Sequence, residues 1–262
     1  MAGTAKTNKF MLGTATVMIG AQADLLKLNP DEHSIGLVKN FSMSAEPSYT
    51  DLAQGVQNTL VFSKMTGNEV RASMEAYEFT AQNLNYALGL NGSGVSTMTV
   101  NGSVNGAVTG DGSVAVFNVQ TGEGSNFSTD DYVAIDINGD DNVVIRKVAS
   151  VSTDAVTVTQ ALDTGVNLPD GAVVRKVNMV GIGSKVEQPF LSAKVVGKLA
   201  DGSTIALEIP KIRVVNGFTL AFSTDDYGNL PLELTVYDQV TTDPMFAEFG
   251  GAQGESARVY LP

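Results

Sequence analysis

The stretch from residue 36 to residue 90 constrains the fold more than any other part of the chain. It holds three runs that favour β-strands, at residues 36–46, 59–64 and 69–77. In the third run apolar side chains occupy every second position, which is typical of a strand with one buried face. The residues expected to face a core are Val70, Ala72, Met74 and Ala76. A turn at residues 66–68 is expected to join the second and third runs.

Residues 47–58 separate the first two runs and are too many for an ordinary hairpin loop. Longer structureless segments in compact domains are usually functional or disordered. This segment carries apolar side chains that could anchor a partner, so we predict that it is a docking arm and that the chain is a building block of an assembly. The expected contact residues are Pro47, Tyr49, Asp51, Leu52, Gln54 and Val56.

One segment after these strands favours a helix, with Thr80 as its cap and Gly89 at its end. Almost all of the remaining sequence alternates with period two, so the predicted fold class is mainly β. Short strands continue to residue 239 and include a hairpin of residues 190–199 and 204–209. The tail from residue 241 to 262 is expected to pack as an extended arm.

A change in composition at residue 91 indicates a second domain. From there to about residue 183 the sequence is rich in Val, Thr, Ser, Gly and Asp, and it contains a hairpin signal around residues 138–140. The flanking segments belong together by pattern. We therefore predict an inserted small all-β domain at residues 93–182, within a discontinuous core domain made of residues 1–92 and 183–262.

Charge and composition exclude several classes of protein. The formal net charge is −12, and an acidic chain is poorly suited to gripping nucleic acid, although it could let nucleic acid slide past. Without cysteine, disulfides and thiolate chemistry are impossible. Lys6 and Lys9 precede an apolar run that mimics a secretory signal, but Gly13, Thr14 and Thr16 dilute it, which favours a strand. No apolar run is long enough for a membrane span.

The sequence offers little for catalysis, cofactor binding or metal binding. His33, the single histidine, follows a turn-like segment with no activated serine nearby. Residues 136–142 resemble a calcium loop, but their spacing fits a tight turn better. Residues 181–185 lack the spacing of a nucleotide-binding loop, and the pair Glu75 and Glu78 is typical of solvated strand charges. We therefore predict no enzyme, no cofactor and no metal site.

Several blocks of sequence resemble the major tail tube protein of tailed bacteriophages. They are EPSYTDLAQGVQN at residues 46–58, SKMTGN at 63–68, EAYE at 75–78 and NLNYALGL at 83–90. The later strands agree in character, from Pro210-Lys211 to Leu230-Pro231-Leu232. The resemblance covers residues 10–90 and 183–239, and the block between them is similar to the extra surface domains that some tail tubes carry.

The resemblance implies a β-sandwich or barrel with one flanking α-helix. Six copies would form a ring, and rings would stack into a hollow tube that conducts DNA from the capsid to the host cell. The protein would belong to the virion tail and be assembled in the host cytoplasm. Its partners would be copies of itself and other tail proteins, such as the tape measure, the tail terminator and a sheath, with no membrane contact.

A conduit for DNA should repel phosphates, which a wall of Glu and Ser would do. The expected lumen-facing residues are Glu46, Ser73, Glu75 and Glu233. Two alternatives remain: the tube protein of a phage-like secretion system, and a carbohydrate-binding or adhesion β-module. The module would need aromatic side chains on a sheet face, and the absence of Trp weighs against it. A hydrolase has almost no support from individual residues.

Overall fold

The structure is a computed structural model, and it describes residues 11–54, 56, 58–88, 101–137, 142–182, 188–216, 228–250 and 255–262. The chain forms two compact units, and each has its own hydrophobic core. The first unit combines Met1–Gly94 with Ile182–Pro262, and the second is Val95–Gly181. These limits lie close to the predicted domain boundaries.

Strands account for 52% of the residues and helical segments for 12%, which confirms the predicted mainly β class. The strands in the described part of the chain are β1 (Met11–Ala21), β2 (Val38–Gln54), β3 (Thr59–Ala76), β4 (Asn101–Ser103), β5 (Val108–Thr109), β6 (Val116–Asn118), β7 (Tyr132–Asp136), β8 (Val143–Ser152), β9 (Ala155–Val158), β10 (Asn167–Leu168), β11 (Val173–Val177), β12 (Leu191–Leu199), β13 (Thr204–Val214), β14 (Leu230–Val236) and β15 (Arg258–Tyr260). The helices there are α1 (Pro30–His33), α2 (Ala81–Ala87) and α3 (Phe246–Phe249), with 3-10 turns at Gln22–Lys27 and Glu123–Asn126.

The strands of the first unit form one curled antiparallel sheet in the order β1, β12, β13, β14, β3, β2. The short strand β15 pairs with β13, on the edge that β14 also uses. The segment that precedes β2 contacts β1, where the Ile35 amide donates a hydrogen bond to the Val17 carbonyl at 3.0 Å. The two end strands of the sheet therefore approach each other, as they do in a barrel.

Period-two alternation places the core residues of this sheet where the sequence predicts them. The four expected core residues of β3 are all buried, namely Val70, Ala72, Met74 and Ala76. Leu232 and Leu234 of β14 alternate in the same way and are also buried. The hairpin of β12 and β13 is also confirmed, with Gly202 in its turn at a positive φ of 83°. A glycine tolerates that conformation without steric cost.

Helix α2 closes one side of the core. It begins after Thr80, whose side chain accepts a hydrogen bond from the Asn83 amide at 3.1 Å, as predicted for a capping residue. The buried Asn83 side chain donates to two backbone carbonyls, at 2.9 and 2.8 Å. Tyr86 is buried as well and donates to the Ile19 carbonyl at 2.7 Å. The predicted helix end, Gly89, lies outside the described residues.

A buried ion pair joins β13 to the segment after β14. Lys211 Nζ lies 2.6 Å from Asp243 Oδ2, and the two side chains are 7% and 11% exposed. The Val240 amide also donates to the Asp243 carboxylate, at 2.8 Å. The pair therefore fixes the chain at the point where it leaves the sheet and turns towards α3.

The prediction that residues 241–262 form an extended arm is wrong. Helix α3 packs Phe249 into a small cluster with Leu25, Leu28 and Met245, and β15 then joins the sheet through β13. The cluster buries aromatic and aliphatic side chains, and β15 pairs its backbone with a strand of the core. The tail is thus part of the first unit.

The second unit contains a sheet in the order β4, β11, β7, β8, β9, β6 and a separate pair of β5 and β10. Its core is aliphatic with two phenylalanines, Phe117 and Phe127. The predicted hairpin is confirmed, since β7 pairs with β8 from Tyr132 opposite Lys147 to Asp136 opposite Val143. Its turn, residues 138–141, lies outside the described residues.

Candidate assembly surface

Strands β2 and β3 continue past the core of the first unit as a two-stranded hairpin. We call this hairpin the arm and define it as residues 46–54 of β2 and 59–69 of β3. Every residue of the arm is exposed. At ~3.3 Å per residue its nine β2 residues span roughly 30 Å. An isolated two-stranded hairpin is only marginally stable in water, and beyond the core the arm has no further strand beside it in the described residues.

The arm corrects the prediction that residues 47–58 form a long loop. Residues 47–54 belong to β2, and their pairing with β3 continues as far as Gln54 opposite Thr59. The connection between the strands is therefore only residues 55–58, the size of an ordinary hairpin loop. The predicted apolar segment exists, but as a paired strand with a fixed register.

The predicted turn at residues 66–68 is also wrong. Strand β3 runs through Gly67, which lies opposite Ser48, and the register shifts immediately beyond this pair. A glycine inside a strand often marks such a bulge, so the Thr-Gly-Asn sequence here lies at a shift of register within the strand and does not end it. Pro47 is tolerated because β2 is the end strand of the sheet.

Apolar side chains are exposed along both strands of the arm and at its tip. They are Tyr49, Leu52, Val56, Leu60, Val61, Phe62 and Met65, and each is about half exposed or more. The sequence prediction named the first three and missed the four on the returning strand. The Leu-Val-Phe run at residues 60–62 could have indicated these exposed side chains. The same run is equally typical of a strand that packs in the core of its own subunit.

The remaining predicted contact residues, Pro47, Asp51 and Gln54, lie on the same strand and are exposed. Asp51 is tied to the opposite strand, because the Ser63 hydroxyl donates to its carboxylate at 2.6 Å. This cross-strand bond holds the pairing in the middle of the arm.

A polar sheet face lies at the base of the arm, on the side of β2, β3 and β14 opposite the buried residues. Its central row places Ser73 between Ser42 and Glu233, and the two serine hydroxyls are 2.8 Å apart. Glu75 lies on the same face, two residues after Ser73 along β3. Glu46 also lies on this face, opposite Glu69, which is four residues before Ser73. The four predicted lumen residues, Glu46, Ser73, Glu75 and Glu233, therefore share one face and are exposed or half-exposed.

Arg71 also lies on this face, although it is not among the predicted lumen residues. It lies between Ser44 and Thr235, and its Nε donates to the Glu69 carboxylate at 2.8 Å. This hydrogen bond raises the pKa of Arg71, and the negative charges of Glu69, Glu233 and Glu46 act in the same direction. The guanidinium is thus paired with Glu69, and the face carries further carboxylates in Glu46, Glu75 and Glu233.

Glu75 is held in its ionised form. Hydrogen bonds from the Asn40 side chain and from the Tyr77 hydroxyl, which lies 3.0 Å away, lower the pKa of Glu75. Lys39 adds a weaker electrostatic contribution from the neighbouring strand. The carboxylate therefore presents a fixed negative charge at neutral pH.

The candidate catalytic and metal-binding groups do not come together in the described residues. His33 is half-exposed at the end of α1, where its Nδ1 accepts a hydrogen bond from the Asn29 amide at 3.4 Å. Within the described ranges, no three His, Cys, Asp or Glu side chains are grouped so that they could hold a metal ion. Most of the calcium-like stretch and residues 183–185 of the Gly-rich segment lie outside those ranges.

Neither models of known protein families nor curated protein sequences gave a match to this chain. In the described part of the chain, no helix has the length and apolar character needed to cross a membrane. A functional conclusion therefore depends on the arm and on the polar sheet face.

Proposed function

We propose that this chain is a tail tube protein of the kind found in tailed bacteriophages, a structural and non-enzymatic protein of the virion tail that is assembled in the host cytoplasm. The observation that supports the proposal is the arm, whose exposed apolar side chains and marginal stability call for a partner. When copies contact each other head to tail and the rotation closes, they form a ring. Six copies would form each ring, and rings would stack into a tube.

The polar sheet face suits the lining of such a tube. Serine hydroxyls lie there beside Glu75, Glu233 and other carboxylates, and Arg71 is engaged by Glu69. An acidic wall repels the phosphate backbone, so DNA would pass without specific binding. The tape measure, the tail terminator and a sheath would be the further protein partners.

Electron microscopy of the purified protein tests the proposal directly, and rings or long tubes are expected. In an arm-less variant, an Asn-Gly turn joins Glu46 to Glu69. These two residues are opposite each other at the base of the arm, so the variant keeps this pair and removes the rest of the hairpin. It should fold but no longer polymerise. Removing the second unit, Val95–Gly181, is the matched control, because that unit has a separate core and should not be needed for a ring.

Two results would contradict the proposal. One is a wild-type protein that stays monomeric at high concentration, because an isolated subunit would then tolerate its exposed arm. The other is normal tube growth by the arm-less variant, because the tube would then be built from other surfaces.

A further inference from the structure

Strand β14 covers only one end of the β13 edge that it shares with β15. It pairs with β13 at residues 212–214, and the Tyr237 amide adds one hydrogen bond to the Lys211 carbonyl at 2.9 Å. Residues 204–210 of β13 lie beyond this contact. On this side of β13, β15 is the one strand of the described chain that pairs with that stretch, and it does so at three positions.

The sequence of the stretch favours the addition of a strand. Residues 204–209 are Thr-Ile-Ala-Leu-Glu-Ile, six residues with one charge and neither proline nor glycine. Segments of this composition pair readily with other extended chains when their backbone is open. The charge of Glu208 offers little repulsion, because Lys194 Nζ lies 3.3 Å from its carboxylate and the Glu208 side chain is only 11% exposed. Without β15, this edge would therefore accept a strand from another chain.

Side-chain contacts hold β15 in place on this edge. The Arg258 guanidinium pairs with the Glu255 carboxylate and lies 4.4 Å from the centre of the Phe249 ring. The Tyr260 hydroxyl donates a hydrogen bond to the Glu208 carboxylate at 3.0 Å. Because β15 has only three residues, these contacts add to a short backbone ladder. They also define the chemistry of a segment that fits the edge.

Strand β15 is itself a poor acceptor for a further strand. It is three residues long, and Pro262, which lacks a backbone amide, follows two residues after its end. Very short strands and proline are two common ways in which proteins prevent addition at a sheet edge. The tail thus replaces a longer accepting edge with one that is too short to recruit another chain.

We propose that β15 is an autoinhibitory strand, which occupies a strand-accepting site on β13 and keeps other chains from joining the sheet there. The site takes an antiparallel extended segment with a cation opposite Glu208 and an aromatic hydroxyl two residues later, opposite Ala206, as β15 has them. The inference does not depend on the proposed function, because the arm and this edge belong to different strands.

A labelled peptide measures access to the edge. The probe is a synthetic peptide of residues 255–262 with a fluorophore at its N-terminus, and binding is followed by fluorescence anisotropy. In the full chain, Arg258→Glu should release β15, because it removes the pairing with Glu255 and places a like charge opposite Glu208. This variant should bind the probe at least about tenfold more tightly than the wild type, in which the attached strand competes at high effective concentration.

Arg175→Glu is the matched control. It makes the same change of charge at an exposed residue of β11, in the second unit. Since this residue has no part in the edge of β13, the control should bind the probe as weakly as the wild type does.

A disulfide tests the site from the opposite direction. Ala206 and Tyr260 are directly opposite each other, at a cross-strand spacing that a disulfide can bridge, and the natural chain has no cysteine. When cysteines at both positions are added to Arg258→Glu, oxidation should hold β15 on β13 and abolish binding of the probe. Reduction should restore it.

Three results would overturn the inference. They are a folded Arg258→Glu variant that binds the probe no better than the wild type, an Arg175→Glu control that binds as tightly as Arg258→Glu, and binding that persists in the oxidised disulfide variant. Calorimetry of the full chain shows whether the first unit is folded. If Arg258→Glu fails this check, a chain that ends at Ala257 lacks β15 and serves for the same comparison. None of these readouts requires rings or tubes, so a monomeric wild type would contradict the proposed function and leave this inference standing.

Discussion

Replacing Lys211 by methionine should strongly destabilise the first unit. Methionine retains most of the apolar stem but leaves the Asp243 carboxylate, which is only 11% exposed, without the ammonium group 2.6 Å away. Removing one partner of a buried ion pair typically costs about 3–5 kcal/mol, because the remaining charge stays desolvated. The loss should therefore be far larger than that of a surface pair, which is about 1 kcal/mol at most.

Differential scanning calorimetry of the full chain measures this loss. The first unit has about 175 residues, for which 1 kcal/mol shifts Tm by roughly 2–4 °C, so Lys211→Met should lower its transition by about 10 °C. The transition of the second unit should not move. The double variant with Asp243→Asn should recover most of the loss, because no charge is then buried. Equal Tm values for the single and double variants would refute the reasoning.

The same pair predicts a response to acid. Burial alone would raise the pKa of Asp243, but hydrogen bonds from Lys211 and from the Val240 amide, together with the Lys211 charge, outweigh it and lower the pKa. A carboxyl group with a depressed folded-state pKa stabilises the fold above its unfolded-state pKa, and this stability is lost as pH falls through the folded-state value. When the pH is lowered below about 4, the Tm of the first unit should therefore decrease. The decrease with pH should be less steep in the Asp243→Asn variant. Identical acid profiles would contradict this assignment.

Three further substitutions test the core, the helix and the polar face. Met74→Ala should cost about 2–5 kcal/mol in urea denaturation, whereas Met65→Ala, on the same strand but 48% exposed, should change monomer stability by less than about 0.5 kcal/mol. Asn83→Ala removes the donor to two backbone carbonyls and should cost about 1–3 kcal/mol, seen as faster amide exchange in α2. Lysine at both Glu75 and Glu233 should create salt-sensitive DNA retention in a filter-binding assay that the wild type lacks.

Each of these has a clear contrary result. Equal losses for the two methionine variants would mean that the arm is already covered within one subunit. Unchanged exchange in the Asn83 variant would mean that the carbonyls find other donors. DNA retention by the wild type, or none by the lysine variant, would remove the electrostatic argument for the polar face.

The sequence predicted the elements whose patterns arise within one subunit. Alternation on β3 and β14 and the capping residue Thr80 reflect local rules of strands and helix ends. The hairpins of β7 with β8 and of β12 with β13 follow from turn residues between strand-like runs. The tail was mispredicted because β15 has only three residues, too few to show a period, and its position depends on pairing with β13.

The arm was harder to predict for a different physical reason. An apolar side chain that faces its own core and one that faces a partner obey the same preference for leaving water, so the sequence alone does not distinguish them. Strand β3 contains both kinds: Met74 is 3% exposed, and Met65, nine positions earlier, is 48% exposed. The structure separates them by showing where packing within the subunit ends, at Val70. Substitutions of apolar residues before this point should act on assembly, and those of apolar residues after it on the stability of the subunit. The two effects can therefore be measured independently on β3.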